Sequence, residues 1–163
     1  MKTKFKFSML MILSILSLSA CSIKQKIDPI EVTSSTEVCI VENKDVRQGF
    51  LEEFKKVLQQ KKIKYRLIQE LDAQNGCEWT ATYTANWAWD LALYMVYAEI
   101  KVFHQGRLDG EAIYDARMGG ANMNKFIDAE PKIRELVEQL MQQKQVSNKL
   151  DGVSPFNQYK IAI

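Results

Sequence analysis

Four carboxylates, Asp90, Glu99, Glu111 and Asp115, fall within one stretch of alternating polar and apolar residues, and such groups supply the acid and base of glycoside cleavage. That chemistry needs one carboxyl desolvated enough to keep its proton near neutrality. A hairpin between the strand around Ile100 and the strand Gly110 to Arg117 sets Glu99 opposite Glu111, on a face of Thr, Glu and Lys that stays wet. With Lys101 on the diagonal, the spacing predicts an ion-pair ladder and no catalytic residue. His104 is the single histidine. It stands at the predicted hairpin tip without an acid or nucleophile placed beside it, and no CxxC or HxxxH spacing accompanies it, so neither metal nor cofactor is expected. Arg117, ahead of Gly119-Gly120 and a helix start, has the parts of an anion-binding turn. A plain turn needs the same glycines, and no P-loop lysine or dinucleotide fingerprint is present. The alternate aromatics Tyr83, Trp87 and Tyr94 read chiefly as core. The candidate binding surface is therefore Trp87, Trp89 and Asp90 at a strand end, with Arg117, Asn122 and Asn124 in the following loop.

Cysteine carries the strongest chemical signal. Lys2, Lys4 and Lys6 precede an apolar run from Phe7 to Leu18, and Leu18-Ser19-Ala20-Cys21 ends it with small residues and a thiol. This is the pattern of a lipoprotein signal, with Cys21 taking a diacylglycerol and an N-acyl chain after cleavage. As a membrane span the run is too short, since about 20 apolar residues are needed. Ser22, in place of the aspartate that holds lipoproteins in the inner membrane, favours the outer membrane and a periplasm-facing domain. Cys39 and Cys77 then remain in an oxidising compartment, and a disulfide between them is expected, with two buried free thiols as the alternative. The formal net charge of +2 includes the three leader lysines, so the remainder carries about −1 and offers no basic face for nucleic acid.

These residues must be positioned by a small α+β domain. Residues 1–20 read as the signal peptide, 21–36 as a lipidated flexible tether, 37–144 as the single domain and 145–163 as a loose tail, in which Tyr159 to Ile163 could add an edge strand. Val38 to Val41 is β-rich, and a helical period follows through Phe50, Phe54, Val57 and Leu58, started near Val46 by an Asp45/Gln48 capping box. Tyr65 to Leu71 reads as a strand parallel to the first, through a right-handed crossover. From Trp79 the period is two, placing Ala81, Tyr83, Ala85 and Trp87 inward, then Tyr94, Val96, Ala98, Ile100 and Val102. A three-residue loop ending in a left-handed Gly106 keeps the faces in phase, with Val102 opposite Leu108 and Lys101 opposite Asp109. The last helix starts near Asp128, with Pro131 in its first turn. Together these give two antiparallel helices on one face of a mostly antiparallel five-stranded sheet, β-α-β-β-β-α. A Cys39 to Cys77 bond would order its strands second, first, third, fourth, fifth.

The stretches Tyr83-Thr84-Ala85-Asn86-Trp87-Ala88-Trp89-Asp90-Leu91-Ala92-Leu93-Tyr94, Gly110-Glu111-Ala112-Ile113-Tyr114-Asp115-Ala116-Arg117 and Gly119-Gly120-Ala121-Asn122-Met123-Asn124-Lys125-Phe126 carry a resemblance. The chain resembles an uncharacterised family of small proteobacterial envelope lipoproteins of the Sbal type, from about Cys21 to Met141. The resemblance implies location and no chemistry. The expected role is thus a non-enzymatic envelope interaction or accessory module, held to the membrane by its lipid and docking an envelope protein. A small-ligand or glycan-binding protein is the alternative, ahead of a carboxylate-based hydrolase.

Overall fold

The computed structural model describes residues 23–33, 35–69 and 76–143. Cys21, the expected leader and the tail beyond residue 143, with its expected edge strand, lie outside these. The elements are β1 (Lys24–Asp28), β2 (Ile30–Val32), β3 (Glu37–Val41), α1 (Gln48–Gln60), β4 (Lys64–Ile68), β5 (Trp79–Asp90), β6 (Ala92–His104), β7 (Arg107–Asp115), α2 (Ala129–Leu140) and β8 (Met141–Gln143). The protein is α+β. Its main sheet has six strands in the order β1-β7-β6-β5-β3-β4, and β2 pairs with β8 in a separate two-stranded ribbon. The sheet is mixed: β3 is parallel to both β4 and β5, whereas β5, β6, β7 and β1 follow one another antiparallel.

From β4 to β7 this is the strand order expected once Cys39 and Cys77 were joined. The bond is present, with Cα atoms 6.1 Å apart. Its sulfurs lie on the sheet face away from the helices, where Cys39, Val41 and Ile68 make a small buried cluster.

The main core lies on the other face. Val38 and Ile40 of β3, Ala81, Tyr83 and Ala85 of β5, and Ala98, Ile100 and Val102 of β6 meet Phe50, Phe54, Val57 and Leu58 of α1 and Ile133, Leu136, Val137 and Leu140 of α2. Phe50 stacks on Tyr83 with centroids 5.0 Å apart, and Phe54 meets the same ring edge-on.

The tether expectation is corrected over residues 24–32. Lys24–Asp28 pairs along β7 from Lys24↔Asp115 to Asp28↔Glu111. An edge strand satisfies its backbone on one side and leaves its side chains wet, so it needs no apolar alternation. Gln25 adds a hydrogen bond of 2.8 Å to Glu135 of α2. Next, β2 passes so close over Gly110 that a Cβ there would stand 2.4 Å from Ile30 and 2.6 Å from the carbonyl oxygen of Asp28.

The helices are not antiparallel. Both β3 and β7 deliver the chain to the same end of the sheet, and α1 and α2 both return from it. Their first turns accordingly lie together, Arg47 and Phe50 beside Asp128 and Glu130. Helix starts also differ in one case from expectation. No side chain caps α1, and Asp45 instead closes a turn by donating its amide to Asn43 Oδ1 at 3.0 Å. At α2 the Asp128 carboxylate does accept the Glu130 amide, with Pro131 in the first turn.

Glu53 lies at the α1–α2 seam, 1% exposed. It accepts 2.9 Å and 3.3 Å hydrogen bonds from the Arg134 guanidinium and another from Lys56. The Lys56 ammonium first, and Arg134 second, hold its carboxyl below the ordinary glutamate value against the burial that opposes ionisation. A depressed folded pKa means that this stabilisation is complete above the unfolded carboxylate pKa, roughly 4.3, and is lost as pH falls through the folded value. Urea midpoints followed from pH 7 down to acid should therefore converge for wild type and Glu53→Gln, the variant being weaker at neutrality. Parallel curves would contradict it.

Candidate functional site

Two bulges set the register of β6 against its neighbours, the first of them close to the end of the sheet where β5 turns into β6. Opposite partners run Ala85↔Ala98 and Asn86↔Tyr97, then Trp87↔Met95, so Val96 is an extra residue. Beyond it the faces exchange. Met95, fully buried, takes the helix side together with Trp87. By alternation Tyr94 turns to the opposite face from the one expected, where it is still buried, edge-on to Phe126 with ring centroids 4.8 Å apart, and Val96, expected inward, is the bulged residue. The chain after β7 exploits the bulge: the Ala116 amide donates to the Val96 carbonyl at 2.8 Å.

The second bulge is at Asp109. The turn has two residues, Gln105 and Gly106, both with positive φ (51° and 78°), the geometry of a tight hairpin turn. Phase is restored by skipping Asp109, giving Phe103↔Leu108 and Val102↔Gly110. The expected three-residue loop is thus replaced by a shorter turn and a bulge. Glu111 consequently faces Lys101, and Glu99 faces Ile113 rather than Glu111.

The carboxylates are each engaged in ion pairs. Lys101 Nζ and the Tyr97 hydroxyl donate to Glu99 at 2.7 Å and 2.8 Å, and Glu111 pairs with Lys26. Burial works against the Glu99 charge, but the Lys101 and Tyr97 hydrogen bonds outweigh it and keep the carboxyl below its usual value. The same contact, after desolvation, pushes the Tyr97 hydroxyl up to about 12. Arg117 grips Asp115 with Nε and Nη2 at 2.9 Å and 2.6 Å and lies 4.3 Å over the Tyr97 ring. That guanidinium holds the Asp115 carboxyl below the ordinary aspartate value. Lys125 spans to Asp90 at 2.9 Å and to the Gly120 carbonyl at 2.8 Å, with its ammonium 5.0 Å from the Phe126 ring.

The loop from 116 to 126 is a turn in its own right. Gly119 donates its amide to the Ala116 carbonyl and Asn122 donates to the Gly119 carbonyl, so these amides serve the turn and not an anion. A Cβ on Gly119 would meet the Ala116 oxygen at 2.9 Å. Asn122 Oδ1 accepts the Asn124 amide at 3.0 Å. Both asparagines are thereby turn residues.

Of the six residues expected to form a surface, Asp90, Arg117, Asn122 and Asn124 are brought to one end of the sheet, the last three in contacts with near neighbours in sequence and Asp90 in its pair with Lys125. Trp87 is half-buried, its ring 5.4 Å from the Arg47 guanidinium. Trp89 is 74% exposed. Sequence reasoning missed Leu91, 93% exposed at the apex, Leu93, and the loop residues Met118 and Met123, all exposed. The missed signal was an apolar side chain at a turn apex, where a polar one or glycine is usual. A recess of about 300 Å³ between Tyr94, Val96, Arg117 and Lys125 is shallow, and one of about 350 Å³ lies at the helix starts beside Trp87. His104 is at the opposite end, stacked on Trp79 with its Nε2 3.0 Å from Glu78 Oε1. Among the described residues no group of three His, Cys, Asp or Glu side chains is placed to hold a metal ion.

No protein-family model matches the chain, and no curated protein does. The likeness is to solved structures. The PelC dodecamer from Paraburkholderia phytofirmans, space group P6, superposes with a TM-score of 0.52 at 11% identity, over 74% of this chain and 99% of that one. A single-substitution variant of that PelC, also a dodecamer and in space group C2, gives 0.51 at 10% identity, over 74% and 97%. The chain is similar to PelC in fold. At these identities the likeness extends to the arrangement of helices and strands and not to residues of a site.

Proposed function

We propose that the chain is a non-enzymatic lipoprotein of the cell envelope, anchored through Cys21 to the outer membrane on its periplasmic side, and that it works as one subunit of an assembly of identical copies. The observation that carries this reading is the pairing of Glu99, Glu111, Asp115, Arg117 and Lys125, which leaves aromatic and aliphatic side chains as the exposed chemistry at the loop end of the sheet. General acid catalysis asks for a carboxyl raised toward neutrality, and Glu99 and Asp115 are shifted the other way. Assembly is supported by the dodecameric state of the PelC structures that share the fold. A glycan-binding role is the second reading, favoured by the exposed indole of Trp89 next to Asp90.

The test is mass. Full-length protein expressed with its leader and extracted in detergent should show an intact mass raised by acyl chains at Cys21, and light scattering should give particles of many subunits. An unmodified N-terminus would refute the anchor, and acylated monomers at micromolar concentration would refute the assembly.

A further inference from the structure

We infer that the β5–β6 hairpin tip inserts into the lipid surface beside the acyl anchor, with Trp89, Leu91 and Leu93 as the inserted side chains. The inference rests on the lipoprotein reading and adds a contact that lipidation by itself does not require.

Geometry brings tip and anchor to one level. Pairing aligns Lys24 with Asp115, Asp115 with Tyr97, and Tyr97 with Asn86 in one row across the sheet. From that row the hairpin continues four residues to Asp90, about 13 Å at strand rise, with no strand beside it among the described residues. Cys21 precedes Lys24 by three residues, a reach of about 10 Å at most. Because β1 starts at Lys24 in place of a long tether, an acyl group at Cys21 cannot stand far from the membrane while the domain floats free. The end of the sheet bearing the tip must lie against the headgroups.

The chemistry of the tip fits that position. Trp89 and Leu93 are directly opposed across the hairpin, exposed at 74% and 45%, and Leu91 caps them at 93%. Tryptophan favours the boundary between headgroups and acyl chains. Leu91 has φ of 61°, a left-handed conformation that glycine or asparagine adopts at less cost, and being exposed it recovers none of that cost by packing in the free domain. The carboxylate at the tip, Asp90, is neutralised by Lys125. Met118 and Met123 extend the apolar surface on the neighbouring loop.

Quenching by brominated lipid tests the contact. Lipidated full-length protein is reconstituted into phosphatidylethanolamine–phosphatidylglycerol vesicles with and without bromine on the acyl chains, which quench tryptophan at close range. Wild type should be quenched, Trp89→Phe should lose most of that quenching, and Trp79→Phe should keep it, because Trp79 starts β5 about 33 Å away. Trp89→Phe is conservative at an exposed site, and an unchanged circular dichroism spectrum confirms its fold. Intact mass of the same sample separates the two readings. Acylated protein whose quenching is indifferent to Trp89→Phe overturns the insertion and leaves the lipoprotein reading standing, whereas protein without acyl chains overturns both. A crosslink from position 89 to a second copy within the vesicles would assign the tip to the assembly and also overturn the insertion.

Discussion

Removing the Cys39–Cys77 bond should lower the stability of the domain by about 4 kcal/mol. The two cysteines are 38 residues apart, and in the chain-entropy model opening a loop of that size frees this much conformational entropy in the unfolded chain. For a domain of this length that corresponds to a fall in Tm on the order of 15 °C. Its placement adds to the expectation, because the bond ties β3 to the segment entering β5, two parallel strands whose pairing spans only Val38↔Trp79 to Ile40↔Ala81. Urea unfolding of the Cys39→Ala/Cys77→Ala variant, and of wild type under reductant, measures it. Coincident midpoints for oxidised and reduced protein would show that the cross-link constrains nothing.

Phe54→Ala should cost about 3 to 5 kcal/mol, the range for deleting a fully buried phenyl ring whose surroundings close only in part. Phe54 is 0% exposed and meets Tyr83 edge-on, while Phe50 stacks on the same tyrosine. Tyr83 in turn holds the loop after β3, its hydroxyl accepting the Asn43 amide at 3.2 Å and its carbonyl accepting Asn43 Nδ2 at 3.1 Å. The cavity therefore opens where helix, central strand and loop join. Calorimetry and urea titration should agree on the loss, and a change under 1 kcal/mol would mean that the core refills the space.

Much of this architecture is legible in the residues. Alternation from Trp79 to Val102 marks two long strands because one face is dry and the other wet, and the helical period of α1 follows from the same contrast. The disulfide, inferred from cysteine usage, sets β3 beside β5, and with the parallel crossover and the hairpins this gives the order β4, β3, β5, β6, β7. What stayed hidden has specific causes. β1 is an edge strand with lysines and glutamine on its surface, and its partner lies some 90 residues away in β7, so nothing local distinguishes it from a tether. The bulges at Val96 and Asp109 change phase without changing composition, which is why Tyr94 moved to the other face and Glu99 lost Glu111 as its opposite. Helix direction depends on which end of the sheet each strand reaches, a property of topology. At the site, Trp89 and Asp90 were legible as a strand end, but the Asp90–Lys125 contact joins residues 35 apart and needed the fold.

The two ends of the domain are stitched to each other: β1 to β7, and β2 to β8. A chain made from its N-terminus presents residues 24–32 first and must hold them unpaired until residues 107–143 have followed. These are the contacts of highest sequence separation in the fold, and their loop-closure entropy is paid last. During synthesis the β3, α1 and β4 unit can form early, while residues 24–32 still lack the strands they pair with. The proposed acylation of Cys21 would thus act on a chain whose first strand is still unpaired, and completion of the sheet would then bring Lys24 to the end that bears the hairpin tip.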